Sequence, residues 1–218
     1  MEQSDDKIKK DIVEHLYWDN RVAAAKIQVE VENGDVTLTG IAPTYFSRQA
    51  ALSDAWQVNG VKMVSNRIQV EYDIPVPADE VLENNIKIII KAYPYLQEGK
   101  IHVFVDSGWV NIEGETDAVW KKNRLEQAVA DMVGIKGITN KLTVVPTHNT
   151  NDEKIASEVI DSIARNSALS INTINVTVEN GIVILSGMVP NWHFKEAIFE
   201  TALYTSGVLE VKNNLTVK

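Results

Sequence analysis

A ten-residue segment occurs three times in this chain, and the repetition constrains the fold more than any other feature. The copies read VENGDVTLTG (31–40), VDSGWVNIEG (105–114) and VENGIVILSG (178–187). Other residues keep the same register, so that Gly34, Gly108 and Gly181 are separated by 74 and 73 residues. This period is longer than that of the common solenoid units, so it indicates a small domain repeated in tandem.

The segments between the copies have the composition of linkers. DIPVPAD (73–79) is rich in Pro, and PTHNTND (146–152) combines Pro with polar residues. Such segments are typical of connections between compact units. We therefore predict three domains, at 5–72, 78–146 and 150–218.

Each copy begins with the pattern of a helix followed by a β-hairpin. In the first copy, Ile8, Ile12 and Leu16 lie at i, i+4 and i+8, which predicts a helix with one apolar face. Residues 27–31 then alternate apolar and polar side chains, which predicts a strand with one face in solvent. The Asn-Gly pair at 33–34 favours a tight turn into a second strand.

A second helix and a third strand complete each copy, and in the first copy they are predicted around 51–58 and 68–70. A strand–helix–strand connection is expected to be a right-handed crossover. One polar sheet face requires both helices to cover the other face. The predicted fold is therefore α+β: three tandem two-layer α/β sandwiches, each α-β-β-α-β, with a three-stranded mixed sheet covered by two helices on one face.

Glycines recur at a turn, at a strand end and at a helix end in every copy. These are positions where a backbone without Cβ is favoured, so we predict a structural role. The nine residues are Gly34, Gly40, Gly60, Gly108, Gly114, Gly134, Gly181, Gly187 and Gly207.

Composition and motifs argue against catalysis and against nucleic-acid binding. The formal net charge is −9 and no copy is basic, so the cationic surface that nucleic acids require is not visible. The chain has no Cys, and its four His residues fall at unrelated positions without metal-ligand spacing. No carboxylate recurs at an apolar core position in all three copies, so we expect a solvated acidic surface. We predict no enzyme, no cofactor and no metal site.

Aromatic and basic residues cluster after the second strand, where each second helix begins. Rings beside cations suit a bilayer interface, where rings reach the headgroup level and cations meet phosphate. The same rings could instead pack against the first helix or between domains, or form hot spots for protein partners. The candidate contact residues are Tyr45, Phe46, Arg48, Trp120, Lys121, Lys122, Trp192, Phe194 and Lys195.

A second aromatic group ends the first helices of two copies. It consists of Tyr17 and Trp18 in the first copy and of Tyr93, Pro94 and Tyr95 in the second. The third copy has Ala164 and Arg165 there, so the feature is not general. We expect these rings to pack in the core or between domains.

The arrangement resembles the BON domain, which is named for bacterial OsmY and nodulation proteins. The resemblance rests on the strand–turn–strand element VTVENGIVILSG (176–187) and on VLEVKNNLTV (208–217). It implies a non-enzymatic protein that associates with phospholipid membrane surfaces and supports the envelope or protects against osmotic stress. The alternative that it implies is a protein-binding scaffold or a chaperone-like protein of the OsmY type.

The first residues lack the features of a signal peptide, so we expect a cytoplasmic protein that is peripheral to the membrane. A periplasmic location is the alternative if a signal peptide has been removed. The expected partners are a phospholipid surface or envelope proteins, and strand edges also allow a homo-oligomer to form.

Overall fold

The computed structural model describes residues 4–96, 101–145, 151–165 and 174–217. Over these residues each repeat has the order helix, strand, strand, helix, strand, and the last strand of the first repeat is divided into two short strands. The first repeat contains α1 (Asp5–Trp18), β1 (Ile27–Glu32), β2 (Asp35–Ala42), α2 (Tyr45–Gln57), β3 (Met63–Asn66) and β4 (Gln69–Val70). The second contains α3 (Asp79–Ala92), β5 (Ile101–Asp106), β6 (Trp109–Thr116), α4 (Val119–Ala130) and β7 (Gly137–Val144). The third contains α5 (Asp152–Arg165), β8 (Ile174–Glu179), β9 (Ile182–Val189), α6 (Trp192–Leu203) and β10 (Glu210–Val217).

Each repeat forms its own sheet with the hairpin's second strand in the middle, in the orders β1-β2-β3, β5-β6-β7 and β10-β9-β8. In the first repeat β1 pairs antiparallel with β2, and β2 pairs parallel with β3 and β4. The third repeat has the same arrangement, because β8–β9 is antiparallel and β9–β10 is parallel. The predicted mixed sheets and the α+β class are confirmed.

The first helix of each repeat places its apolar face in a core. In the first repeat, Ile8, Ile12 and Leu16 are buried with residues from β1, β2 and α2. In the third repeat, Ile155 and Val159 are buried in the same way. The apolar spacing therefore predicted the buried face of the helix correctly.

Grouped by its contacts, the chain forms two compact units. The first consists of Met1–Asn85, Phe104–Val110 and Ala128–Thr139. The second consists of Ile86–Val103, Asn111–Gln127 and Asn140–Lys218. The second repeat contributes to both units, so this division differs from the division into repeats. The domain limits at 5–72, 78–146 and 150–218 stay a prediction.

A carboxylate at the first position of each repeat's first helix binds the hairpin turn. The two Asp5 oxygens accept hydrogen bonds from the backbone N–H groups of Asn33 (2.8 Å) and Gly34 (2.9 Å). The other repeats have the same contacts, from Ser107 and Gly108 to Asp79 and from Asn180 and Gly181 to Asp152. We call this interaction the turn clamp. It ties the start of the first helix to the sheet.

The turn that the clamp holds depends on glycine. Asn33 and Gly34 have φ values of 53° and 83°, and the carbonyl of Gly34 accepts a hydrogen bond from the N–H of Lys62 at 2.9 Å. A Cβ at Gly34 would lie 2.7 Å from the carbonyl oxygen of Gly60. This close approach accounts for the glycine at position 34, and the positive φ of Gly60 (90°) accounts for the glycine at position 60. All nine glycines predicted to be structural have φ between 75° and 126°.

An Asn recurs in the third strand of every repeat, at positions 66, 140 and 213. Asn66 donates to the carbonyl of Arg48 in α2 (3.3 Å) and accepts from the N–H of Ile68 (3.1 Å). Asn140 makes the same pair of contacts, to Lys122 and from Leu142. The Asn at this position therefore connects the third strand to the second helix in the first two repeats.

The turn clamp predicts a large effect of one carboxylate and a small effect of its neighbour. We expect Asp5→Ala to lower the free energy of unfolding by about 1–3 kcal/mol, because two charge-assisted hydrogen bonds are lost. Asp6→Ala removes the same charge from the same helical turn and should cost less than about 1 kcal/mol. Urea unfolding of the full chain, with amide exchange at Gly34, measures both. Equal losses in the two variants would show that the helix dipole, and not the clamp, accounts for the effect.

Candidate functional site

The second helix of the first and third repeats starts at a side-chain cap. Thr44 Oγ1 accepts a hydrogen bond from the N–H of Ser47 at 2.9 Å, and Asn191 Oδ1 accepts one from the N–H of Phe194 at 3.1 Å. Such caps satisfy free amides of the first turn. They place the predicted contact residues on that turn, at the end of the central strand.

In the first repeat the predicted contact residues differ in exposure. Tyr45 is buried, with 7% of its surface exposed, whereas Phe46 is 42% exposed. The guanidinium carbon of Arg48 lies 5.9 Å from the centre of the Tyr45 ring, within the range of a cation–π interaction. Of these three residues, Phe46 presents the most apolar surface to solvent.

In the second repeat the two lysines have local partners. Lys121 is buried and pairs with Asp117 at 2.7 Å, and its Nζ lies 5.8 Å from the centre of the Trp120 ring. Lys122 donates to the carbonyl of Leu142 at 3.0 Å. The charge that these residues present to a ligand is therefore small.

The third repeat combines a ring, a cation and a core residue. The Nζ of Lys195 lies 5.6 Å from the centre of the half-buried Trp192 ring. Burial lowers the pKa of Lys195, and Glu196 opposes this effect. Phe194 packs against the core of the third repeat. Each repeat thus places one cation over one aromatic ring at the start of its second helix.

Trp120 belongs to a larger aromatic surface, which we call the ring series. Ring centres are 5.2 Å apart for Tyr93–Tyr95, 5.0 Å for Tyr95–Trp120 and 6.4 Å for Trp120–Tyr204. Tyr204 is 68% exposed. A hydrogen bond with Tyr95 is the main cause that raises the pKa of the exposed Arg124. The series joins residues of the second and third repeats within one compact unit.

Sequence reasoning missed Tyr204 because it follows the end of α6, whereas the candidate contact residues were taken from the aromatic and basic cluster at the start of that helix. The expectation that the rings at the ends of the first helices pack in the core or between domains stays a prediction for Tyr95, which is half-buried and contacts Trp120 of the same repeat. It is wrong for Tyr17 and Trp18, which are 71% and 79% exposed and contact each other edge to face. Both lie on the side of α1 opposite to its buried stripe.

A second group that sequence reasoning missed is ionic. Arg21 Nε donates to both oxygens of Asp19, at 3.0 and 2.9 Å, and its Nη2 lies 3.7 Å from Oδ1 of Asp54. Asp54 is only 4% exposed, which contradicts the expectation of a solvated acidic surface at this position. Sequence reasoning did not identify Asp54 because it does not recur: the equivalent residues of the other repeats are Ala128 and Thr201. Ala51 and Ala55 lie on the buried face of α2. The position of Asp54 beside Ala55 is the sequence signal that could have identified this carboxylate as buried.

The Asp54 carboxyl has an unusual affinity for protons. Burial first, and then the charge of Asp19, raise its pKa from 3.8 to about 6, while Arg21 and His15 act in the opposite direction. A hydrogen bond with Asp19 also favours the protonated form. The Arg21 hydrogen bond, in contrast, lowers the pKa of Asp19. The pKa values of the two neighbouring carboxyls are thus shifted in opposite directions, and only that of Asp54 lies close to neutrality.

Metal-ligand clusters and membrane-spanning helices are both absent from the part of the chain that the structure describes. Among the described residues, no group of three or more His, Cys, Asp or Glu side chains is arranged to hold a metal ion. In the same part of the chain, no helix has the length and apolar character needed to cross a bilayer.

The family model of the BON domain matches three segments of the chain, at 4–72, 78–146 and 151–218. The chain belongs to the BON domain family. The three matches confirm the three tandem copies inferred from the repeat. BON domain proteins are generally non-catalytic, so membership supports a role in binding at membranes, at the envelope or to proteins.

The solved structures that match this BON domain protein have low identity to it. One is CdsD, a structural protein of the type III secretion system of Chlamydia trachomatis, with 14% identity, a TM-score of 0.27 and coverage of 97% of this chain and 92% of that chain. Another is the periplasmic domain of PrgH, a type III secretion inner membrane protein of S. typhimurium, with 13% identity, a TM-score of 0.24 and coverage of 88% and 95%. Likenesses at these scores carry no argument about function. No curated protein matches the sequence.

The raised pKa of Asp54 predicts a pH-dependent stability. The folded state binds the Asp54 proton more tightly than the unfolded state, so this group reduces stability as pH rises from about 4 to about 6. Asp54→Asn should therefore increase the free energy of unfolding at pH 7.5, by at most about 3 kcal/mol, and the increase should vanish below pH about 4.

Urea unfolding of the full chain at both pH values measures this effect, and Asp35→Asn on β2 is the control, because Asp35 is exposed. The control should change stability equally little at both pH values. A loss of stability in Asp54→Asn that is the same at both pH values would contradict the prediction.

Proposed function

We propose that this BON domain protein is a non-catalytic binding protein that associates with phospholipid surfaces through the ring series. The family supports binding in general, and the choice of a lipid surface is our proposal. The contact surface consists of Trp120, Tyr204 and the Tyr93–Tyr95 pair, with Arg124 at its side. We propose Phe46 and Trp192 as additional contacts.

The observation that carries this proposal is the contiguity of the rings. Trp and Tyr have an apolar body and a polar tip, which suits the depth of the headgroups. Successive ring centres lie 5.0 to 6.4 Å apart, so the rings offer one surface rather than scattered side chains. The outermost ring, Tyr204, is well exposed.

The charges favour insertion of rings over electrostatic attraction. Lys121 is paired with Asp117 and Lys122 is bonded to a backbone carbonyl, so neither is well placed to meet a phosphate. Burial lowers the pKa of Lys195, and the chain has a formal net charge of −9. Binding should therefore depend little on the anionic lipid content and little on salt.

Vesicle flotation tests the proposal. The full chain should float with phosphatidylcholine vesicles, and the bound fraction should change less than about twofold between about 50 mM and about 500 mM salt. The double variant Trp120→Ala plus Tyr204→Ala should reduce binding about tenfold or more, because two interfacial rings are lost.

Trp109→Ala is the matched control. Trp109 is also an exposed Trp, but it lies on β6 outside the ring series, so its loss should change binding less than about twofold. Equal losses in the two variants would remove the ring series from the proposal. Binding only to anionic vesicles, and only at low salt, would contradict ring insertion and favour the lysines at the helix starts.

A protein partner is the second candidate, and the composition of the ring series favours it. Trp, Tyr and Arg are the residues most often found as hot spots of protein interfaces. No flotation with any vesicle, together with crosslinking to one protein from a photoreactive group at Tyr204 that Trp120→Ala abolishes, would establish this scaffold role instead. Envelope support and protection under osmotic stress are the physiological roles that we propose for either mode of binding.

The cellular compartment is also part of the proposal. We propose a cytoplasmic protein at the membrane periphery, with a periplasmic location as the alternative. Fractionation of cells that produce the full-length protein distinguishes the two locations.

A further inference from the structure

A cleft of about 680 Å³ lies in the first repeat, where the end of α1 faces the end of α2. Its lining includes the Asp19–Arg21–Asp54 group, the Glu14 carboxylate and the Trp18 ring. All of these residues belong to the same compact unit. The cleft shares no residue with the ring series, so its role is independent of the function proposed above.

Asp54, which lines the cleft, has one carboxylate oxygen without a donor. Oδ2 of Asp54 is buried and accepts no hydrogen bond from any residue that the structure describes. The nearest cation, Arg21, directs its Nε to Asp19, and its Nη2 is 3.7 Å from the other Asp54 oxygen, which is beyond hydrogen-bond distance. A buried carboxylate oxygen without a donor is costly, because it has lost water and gained no replacement.

We propose that this cleft binds a primary ammonium group, which donates a hydrogen bond to Oδ2 of Asp54 and lies beside the Trp18 ring. The chemical class is a small organic amine or an exposed lysine-type side chain. The binding residues are Asp54, Trp18 and Glu14.

The lining of the cleft selects this ligand class. Three carboxylates, Glu14, Asp19 and Asp54, face one guanidinium, so the site disfavours anions. An ionised carboxylate only accepts hydrogen bonds, and an ammonium group has three donors and no acceptor. Trp is the aromatic side chain that attracts cations most strongly, and Trp18 is 79% exposed.

A proton is the natural competitor of such a ligand. When Asp54 is protonated it bonds to Asp19 and offers no charge to an amine. An amine that binds the ionised form must therefore lower the pKa of Asp54, by linkage. Asp19, Arg21 and His15 are the neighbouring groups that act on the Asp54 charge. Because the pKa of Asp54 is about 6, binding should be strongest above pH about 7, where this carboxyl is ionised.

The experiment is an NMR titration of the full chain at pH 7.5 with n-butylammonium as the probe. The Trp18 indole resonance should shift with a saturable curve, and the pKa of Asp54, followed through its carboxyl carbon, should fall in the presence of the probe. Asp54→Asn should weaken binding about tenfold or more, because the charged acceptor is lost. Asp35→Asn, which makes the same charge change on the surface, should weaken it less than about twofold.

Two further probes separate hydrogen bonding from general attraction. Tetramethylammonium has the charge but no N–H donor, and n-butanol has the chain but no charge, so both should bind at least about tenfold more weakly. Equal binding of tetramethylammonium, equal losses in Asp54→Asn and Asp35→Asn, or an unchanged pKa of Asp54 would each overturn the proposal.

Trp18 is an exposed residue of the cleft lining, so its substitution tests the site without disturbing core packing. If Asp54→Asn fails to fold, Trp18→Ala still tests the site, because Trp18 lies on the surface of α1. It should weaken binding about threefold. An unchanged affinity in Trp18→Ala would overturn the placement of the ligand. Because no vesicle is present, the result is independent of the flotation experiment.

Discussion

The turn clamp is the interaction on which the geometry of every repeat depends. An Asp carboxylate at the start of the first helix accepts two amides of a left-handed turn, while a carbonyl of the same turn accepts an amide at the start of the third strand in the first repeat. One turn thereby orients a helix, a hairpin and a strand. These backbone amides need a hydrogen-bond acceptor, and the charged Asp carboxylate provides it in place of solvent.

The backbone arrangement that these turns stabilise is the same in every repeat. The side chains at equivalent positions differ between repeats. The first repeat has Asp19, Arg21 and Asp54, which form an ionic group beside a cleft. At the equivalent positions, 74 residues later, the second repeat has Tyr93, Tyr95 and Ala128. The same place in the fold thus carries buried charge in one copy and an aromatic surface in the next. Copies that share one backbone arrangement thus present different side-chain surfaces.

Aromatic rings and cations at the starts of the second helices illustrate how context changes a sequence pattern. Tyr45 and Lys121 are buried, whereas Phe46 and Tyr204 are well exposed. A helix turns by about 100° per residue, so adjacent side chains point in different directions, and one of a pair can enter the core while the next faces solvent. Of the predicted contact residues, only some are therefore exposed, and Tyr204 adds to that exposed aromatic surface.

The amino-acid sequence by itself determined the repeat, the order of helices and strands, and the buried stripe Ile8–Ile12–Leu16, because these follow from local periodicity and turn chemistry. Only the tertiary structure decided which side chains meet across elements. Asp54 approaches Asp19 and Arg21 from another helix, and Tyr204 reaches Trp120 from another repeat. Such contacts join residues far apart in the chain, and no periodic pattern records them, since their distances depend on how helices pack on the sheet.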